Sequence, residues 1–155
     1  VAVRGEAVSF RGAVLDRASF SRSNLKQADF SRARLKGAKF YEAQLLGSNF
    51  TQAELEGASF ERANLNGAVF DEANMFSVKL ESARMESASL KKTNLTKANL
   101  SGADLQAADF TGANLSKATL SEAVIDGAIF DNAILGGATW VTYKRCRSGS
   151  VGTCQ

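Results

Sequence analysis

Large apolar side chains occupy every fifth position of the chain, from Phe10 to Trp140. All 27 positions of this series are large and apolar, and 22 of the 27 residues found two positions earlier are alanine. A period of five fits neither the two-residue alternation of a β-strand nor the 3.6-residue turn of an α-helix. Because each large residue must reach the core from a new side, the pattern predicts a backbone that turns a corner every five residues. Four such corners complete one square coil of 20 residues.

The large residues also sort into four columns when they are grouped by this 20-residue period. Nine of the ten phenylalanines belong to two opposed columns, and the two intervening columns contain only leucine, methionine and isoleucine. Coils stacked at the ~4.8 Å spacing of β-strands bring like rings together along the axis. The pattern therefore predicts an all-β solenoid with aromatic and aliphatic columns in its core.

The segment 103–115 contains Ala-Asp-Leu, Ala-Asp-Phe and Ala-Asn-Leu, which begin at Ala103, Ala108 and Ala113. These motifs resemble the A(D/N)LXX signature of the pentapeptide-repeat family, and the resemblance extends over residues 8–140. It implies a right-handed quadrilateral parallel β-helix, with the large residue and the preceding small residue inside. At four repeats per coil, we expect about seven 20-residue coils.

We expect two parts in the chain, the β-helix at 1–140 and a C-terminal cap at 141–155. A solenoid exposes its last core layer and its unpaired strand edges, so it needs a cap. Cys146 and Cys154 lie in this tail, and a disulfide between them would hold it over Trp140 with a contribution of about 2–3 kcal/mol. Two unrelated free thiols are the alternative. A disulfide implies an oxidising compartment.

Composition argues against catalysis and metal binding. The chain has no histidine, which is the commonest general base, and two cysteines without histidine do not complete a typical zinc site. No serine has a basic partner in a recognisable triad, and no glycine-rich phosphate loop occurs. The one stacked carboxylate pair, Glu61 and Glu81, is interpreted as two solvated surface residues. We expect no enzyme activity, no metal and no cofactor.

Charge is distributed unevenly along the sequence. The net charge is +6 for residues 1–40, −5 for residues 41–90 and +2 for residues 91–155, which gives +3 for the whole chain. The densest basic run consists of Arg32, Arg34, Lys36 and Lys39. A solvated face is the simplest interpretation, and a nucleic-acid footprint is an alternative that the lack of interleaved outward aromatic residues weakens. We take these four residues as a candidate surface for a protein partner.

Three apolar residues, Tyr41, Leu46 and Phe76, occupy outward positions on three different sides of the predicted coil. Phe76 is the only phenylalanine outside the core columns. Either a partner covers Phe76 or the coil bulges locally near Met75, and a bulge is the preferred interpretation. Phe76 is kept as a further member of the candidate surface.

Two classes of function are compatible with these features. The first is a non-enzymatic structural or protein-interaction solenoid of an oxidising compartment, whose biochemical role is unknown. The ending from Trp140 through Cys146 to Cys154 resembles the tails of cyanobacterial and plant lumenal members of the family. This resemblance implies the thylakoid lumen of a plant or cyanobacterium, or a bacterial periplasm, as the location.

The alternative is a DNA-mimicking, gyrase-binding member of the same family. DNA mimicry requires about one negative charge per 1.7 Å of rod, whereas this chain has a net charge of +3 and only a short acidic middle. We expect an unidentified protein partner, no nucleic acid and no membrane span, with the chain as a monomer or an end-to-end dimer. Val1, Val3 and Val8 are expected to leave an open N-terminal edge, and a first residue other than Met is interpreted as processing or a trimmed boundary.

Overall fold

The computed structural model describes residues 7–155, which form a right-handed quadrilateral β-helix with a short C-terminal cap. The described part of the chain contains neither an α-helix nor a continuous strand. Instead, every fifth residue from Ser9 to Thr119 forms a parallel β-bridge with the residue 20 positions later. The 20-residue coil predicted from the sequence is therefore observed. Val1 and Val3, part of the expected N-terminal edge, lie outside the described residues.

The bridge residues define four faces, numbered in chain order. Face 1 extends from Ser9 to Ile129, face 2 from Val14 to Ile134, face 3 from Ser19 to Thr139 and face 4 from Asn24 to Val124. Each bridge residue directly precedes a large core residue, and the two residues after that core residue form the corner to the next face. We name a corner by the faces that it joins, so that corner 2–3 follows the core column of face 2.

The corners are type II turns, because a positive φ occurs at the second of the two corner residues. At the first turn the carbonyl of Phe10 accepts the N–H of Ala13 at 2.9 Å, and Gly12 has a φ of +66°. The same slot has a positive φ at every corner from residue 12 to residue 137. Nine of these residues are glycine, which adopts this conformation without steric strain. Other residues such as Arg17, at +62°, also accept it.

From Phe10 to Phe70, the core contains two ring stacks along the axis that meet edge to face across it, beside two aliphatic columns. Phe30 and Phe50 stack with centroids 4.8 Å apart and planes 1° apart, whereas Phe30 and Phe40 meet at 5.5 Å and 88°. Every large residue of the five-residue series from Leu25 to Leu120 is buried. Both arrangements of rings are favourable beyond the area that they bury.

Polar residues occupy three of the alanine positions, and the two that are fully buried, Ser48 and Thr93, both have a hydrogen-bond partner. The hydroxyl of Ser48 donates to the carbonyl of Leu45 at 2.7 Å, and that of Thr93 donates to the carbonyl of Phe70 at 2.8 Å. Because a buried hydroxyl is tolerated when it is hydrogen-bonded, neither residue interrupts the coil.

The tail after Trp140 folds back antiparallel onto the last coil. Arg145 pairs with Thr139, and Val151 pairs with Ile134. Trp140 meets the ring of Phe130 at 5.1 Å and closes the end of the aromatic columns. The tail thus supplies partners for backbone groups of the last coil that a longer solenoid would satisfy with another coil.

Candidate interaction surface

The four basic residues of the predicted surface lie on successive sides of one coil. Arg32 is on corner 1–2, Arg34 on face 2, Lys36 on corner 2–3 and Lys39 on face 3. All four side chains are exposed. Arg34, Lys36 and Lys39 are neighbours around corner 2–3, whereas Arg32 lies on the preceding corner, 1–2.

Acidic residues nearby on the adjacent coils partly neutralise the charge of this basic run. Arg34 contacts Asp16 at 3.0 Å and Glu54 at 3.8 Å. Lys36 contacts Glu56 at 3.5 Å. Exposed ion pairs of this kind are worth about 0.2–1 kcal/mol, so a partner's carboxylates can replace them at small cost.

The other two basic residues have fewer electrostatic contacts. Arg32 donates to the side-chain oxygen of Gln52 at 3.1 Å. Within residues 7–155, Lys39 forms no ion pair. Arg32 and Lys39 therefore retain positive charge for an external anion.

Phe76 lies half-buried on corner 2–3, two coils beyond Lys36. The coil around it is regular: Met75 is fully buried and its N–H donates to the carbonyl of Asn94 at 2.8 Å, as the ladder requires. The predicted local bulge is therefore wrong, because Val78 fits the small inward position with no exposed surface. The ammonium of Lys97 lies 5.5 Å from the centroid of the Phe76 ring, a cation–π contact.

Glu42 is the best example of a neutralised carboxylate in the acidic middle of the chain. It lies between Arg22 at 3.0 Å and Arg62 at 3.5 Å. A hydrogen bond from the Tyr41 side chain, followed by that from Arg22, holds the pKa of Glu42 below its ordinary value. Its negative charge is thus tied to its own coil neighbours.

The stacked carboxylates Glu61 and Glu81 are engaged in surface hydrogen bonds. The hydroxyl of Ser59 donates to Glu61, and the amide of Asn99 donates to Glu81 at 2.7 Å. Glu81 also lines an open surface groove together with Ser82, Ser101 and Ser121. Among residues 7–155, no group of three or more His, Cys, Asp or Glu side chains is arranged to hold a metal ion.

Cys146 and Cys154 form a disulfide, with their Cα atoms 4.8 Å apart. Cys146 is buried under the last coil. Tyr143, in the same tail, donates its hydroxyl to Glu122, and this hydrogen bond raises the pKa of Tyr143 above 10.0. A disulfide in a small protein is typical of an oxidising compartment.

Sequence reasoning missed the exposed residues Lys79, Lys97 and Lys117, which share the side of Lys39 and Phe76. Lys79 is on face 3, and the other two lie on corner 2–3. They are 18 and 20 residues apart in the sequence, so no local basic run reveals them. Sorting the outward positions by the 20-residue period does place Lys97 beside Lys117, but it does not by itself mark this pair and Lys79 as an interaction surface.

The fold and the repeat define a class of protein. The family model described as a pentapeptide repeat region matches residues 6–70 and 53–140. The chain therefore belongs to the pentapeptide repeat family. No curated protein sequence matches the chain significantly.

Solved structures of several pentapeptide repeat proteins are similar to this chain. HetL, which is involved in heterocyst differentiation regulation in the cyanobacterium Nostoc sp. strain PCC 7120, is 29% identical over 88% of this chain and 82% of its own, with a TM-score of 0.34. A pentapeptide repeat protein from the Arabidopsis thaliana thylakoid lumen is 27% identical over 83% and 68%, with a TM-score of 0.31. QnrB1, a plasmid-mediated fluoroquinolone resistance protein, is 25% identical over 85% and 72%, with a TM-score of 0.48.

A membrane-crossing helix, one both long and apolar enough, is not found among the described residues 7–155.

Proposed function

We propose that this chain is a non-enzymatic structural and protein-interaction solenoid of an oxidising compartment. The observation that carries the proposal is the Cys146–Cys154 disulfide, which holds the tail over the end of the β-helix. A β-helix surface of exposed polar side chains offers contacts for a partner along its whole length. Among the outward residues described above, Arg34, Lys36 and Glu42 are held in ion pairs, whereas Lys39 forms none within the described residues and can bind an acidic group of a partner.

The proposed location is the thylakoid lumen of a plant or cyanobacterium, or a bacterial periplasm. It rests on the disulfide and on the resemblance of the tail to those of lumenal family members. The test is the thiol state in the cell: thiols are alkylated before lysis and the intact chain is weighed. We expect Cys146 and Cys154 to resist alkylation, with no added mass. Two added alkyl groups would contradict the proposed compartment.

The proposed partner is a protein that docks on the candidate surface around Arg32, Arg34, Lys36 and Lys39, with Phe76 as its apolar member. The chain is proposed to be a monomer or an end-to-end dimer. Its C-terminal end is closed by the tail, so a dimer would form through the N-terminal end, where Val8 is half exposed at 50%.

Charge reversal at Arg32, Arg34 and Lys36 tests this surface. The triple Glu variant is expected to lose partner capture from an extract of the compartment, measured by cross-linking and mass spectrometry. A matched control reverses Lys26 on corner 4–1, Arg84 on face 4 and Lys92, which lies three coils beyond Arg32; all three are exposed and give the same change in net charge. Capture that persists in the first variant, or that disappears equally in both, would exclude this surface.

No observation favours the gyrase-binding alternative, and we do not propose it. DNA mimicry needs negative charge that is free on the surface. Glu42, Glu54 and Glu56, in the acidic middle of the chain, are each in an ion pair with a basic side chain.

A further inference from the structure

Face 3 has no acidic residue among its bridge positions from Ser19 to Thr139. Its basic members are Lys39 and Lys79, and the tail adds Arg145, which pairs with Thr139. Corner 2–3 is also free of acidic residues from Phe76 to Gly137 and contributes Lys97 and Lys117. We call Lys79, Lys97, Lys117 and Arg145 the basic edge.

The charges of the basic edge are available to a partner. All four side chains are exposed, and none of them forms an ion pair within the described residues. This distinguishes them from Arg34 and Lys36, which acidic residues of neighbouring coils neutralise. Among the described residues, the charged groups of the edge form one electrostatic contact, the cation–π contact of Lys97 with Phe76.

The other sides of the same coils carry the opposite charge. Residues 71–140 contain nine acidic residues, and every one lies on face 1, face 4 or the corners 1–2, 3–4 and 4–1. The C-terminal half of the rod is thus positive along one edge and mainly negative elsewhere. A localised patch of one sign attracts and orients a partner of the opposite sign.

We propose that the basic edge binds an extended acidic segment of a partner protein. The proposal rests on the proposed role of the chain as an interaction solenoid and specifies the chemistry of one partner. Lys97 and Lys117 occupy the same corner slot in successive coils, and successive coils lie about 4.7–4.8 Å apart, as the ring stacks show. In an extended segment the carboxylates on one side are about 6.6–6.8 Å apart, which flexible lysine side chains can match.

The surface between these cations suits a peptide backbone. Thr96 and Ser116 lie beside the two corner lysines, and Asn99 and Thr119 follow Lys79 along face 3. The hydroxyls of Ser116 and Thr119 can donate to or accept from backbone amides, whereas the Thr96 hydroxyl already donates to Asn94 and the Asn99 amide to Glu81. Phe76 offers an apolar contact at one end of the edge.

A nucleic acid fits this edge less well. Specific nucleic-acid contacts typically neutralise about 6–10 phosphates and, for single strands, stack bases on several aromatic rings. The basic edge supplies four cations and one ring.

The test uses the full chain with its disulfide intact and a fluorescent dodecapeptide of alternating Glu and Ser, followed by anisotropy at low salt. We expect saturable binding that weakens as salt rises, and a loss of about tenfold or more in Lys79→Glu/Lys97→Glu/Lys117→Glu. The matched control, Lys26→Glu/Arg84→Glu/Lys92→Glu, has the same net charge and should bind within about twofold of the unmodified chain. Equal losses in both variants, or no binding by the unmodified chain, would overturn the proposal.

Two further arms make the outcome specific. The first arm measures binding of a single-stranded oligonucleotide of equal charge. If it binds more tightly than the peptide and loses as much affinity in the edge variant, the ligand of the edge is a nucleic acid and the proposal is overturned. If the Glu variant does not fold, Lys97→Gln/Lys117→Gln should still weaken peptide binding several-fold, and unchanged binding would count against the edge. Failure of peptide binding alongside undiminished capture of the compartment partner would refute this inference and leave the proposed function standing.

Discussion

At the scale of single residues, the side chain of an Asp or Asn that precedes a core residue stabilises the corner that follows the core residue. Asn94 accepts the N–H of Thr96 at 3.1 Å, and Asp109 accepts that of Thr111 at 2.9 Å. Short polar side chains stabilise turns through such bonds to the backbone two residues on. Asp or Asn before the core residue, the order seen in the A(D/N)L motifs, therefore stabilises a turn locally while the large side chain stabilises the core.

Asp29 is expected to make the stability of the fold depend on pH. A hydrogen bond from the Ser31 hydroxyl holds the pKa of Asp29 below its ordinary value of 3.8, against the opposing effect of burial. Because the folded pKa is depressed, the carboxylate stabilises the fold above its unfolded pKa, and this contribution is lost as pH falls through the folded pKa. Urea unfolding of Asp29→Asn should therefore show a smaller loss of stability below about pH 4 than the unmodified chain does.

Asn49 allows the reverse substitution, in which a carboxylate is introduced instead of removed. Its side-chain oxygen accepts from the N–H of Thr51 at 3.0 Å and from its hydroxyl at 2.6 Å, the geometry of Asp29 with Ser31. Asn49→Asp should add a pH dependence of the same sign. Identical pH profiles in all three chains would show that these carboxylates do not contribute.

Gly57 isolates the effect of backbone conformation at a corner. Its φ is +66°, and an added Cβ would meet no atom within 4 Å, so Gly57→Ala introduces strain without a clash. We expect the free energy of unfolding to fall by about 1–2 kcal/mol. Gly149 also has open space around it but has no positive φ, so Gly149→Ala should be neutral or slightly stabilising. Equal effects of the two substitutions in urea unfolding would contradict this account.

At the scale of structural elements, the cap is where the chain departs from its repeat. The double variant Cys146→Ala/Cys154→Ala should lower the free energy of unfolding by about 2–3 kcal/mol, because the disulfide restricts the unfolded tail. Thermal unfolding with and without a reductant measures this. The reductant should destabilise the unmodified chain and leave the double variant unchanged. A reductant effect of equal size on both chains would point away from the disulfide.

The cap also shows where sequence reasoning ends. The spacing of two cysteines in a glycine-containing tail predicted a bridge but left free thiols open, because only the fold brings their Cα atoms within 4.8 Å. The need for Gly136 could not be predicted. Its slot accepts many residues elsewhere, and here the carbonyl oxygen of Ser148 lies only 2.5 Å from where a Cβ would be.

At the scale of the whole molecule, the 20-residue period predicts the core and several of the charge pairs on the surface. A fixed 20-residue period determines which core residues stack, so Phe30 over Phe50 follows from the sequence alone. The surface depends on charges that meet across coils. Charge counted along the chain marks Arg34 and Lys36 as a basic run, whereas the 20-residue period places Glu54 beside Arg34 and Glu56 beside Lys36, and both ion pairs are observed.

The ring columns give a prediction for the whole rod, namely that a shorter deletion is more harmful than a longer one. Deleting residues 41–60 removes one full coil and places Phe70 over Phe30, so like columns stay aligned. Deleting residues 41–55 retains five more residues but places Phe70 over Leu35 and Leu65 over Phe30. Because aligned rings contribute about 0.5–1.5 kcal/mol per pair and misfitted core residues cost about 1–3 kcal/mol, the 20-residue deletion should be the more stable protein.

Urea unfolding and circular dichroism of the two deletion variants decide this point. Both retain the five-residue spacing of large side chains, so both are expected to keep β structure, and the difference isolates column alignment. A solenoid is held by contacts between neighbouring coils, so the disturbance should stay near the junction and leave the C-terminal cap intact. If the 15-residue deletion proved as stable as the 20-residue one, the five-residue period alone would specify the fold, and the alignment of Phe with Phe would be incidental to it.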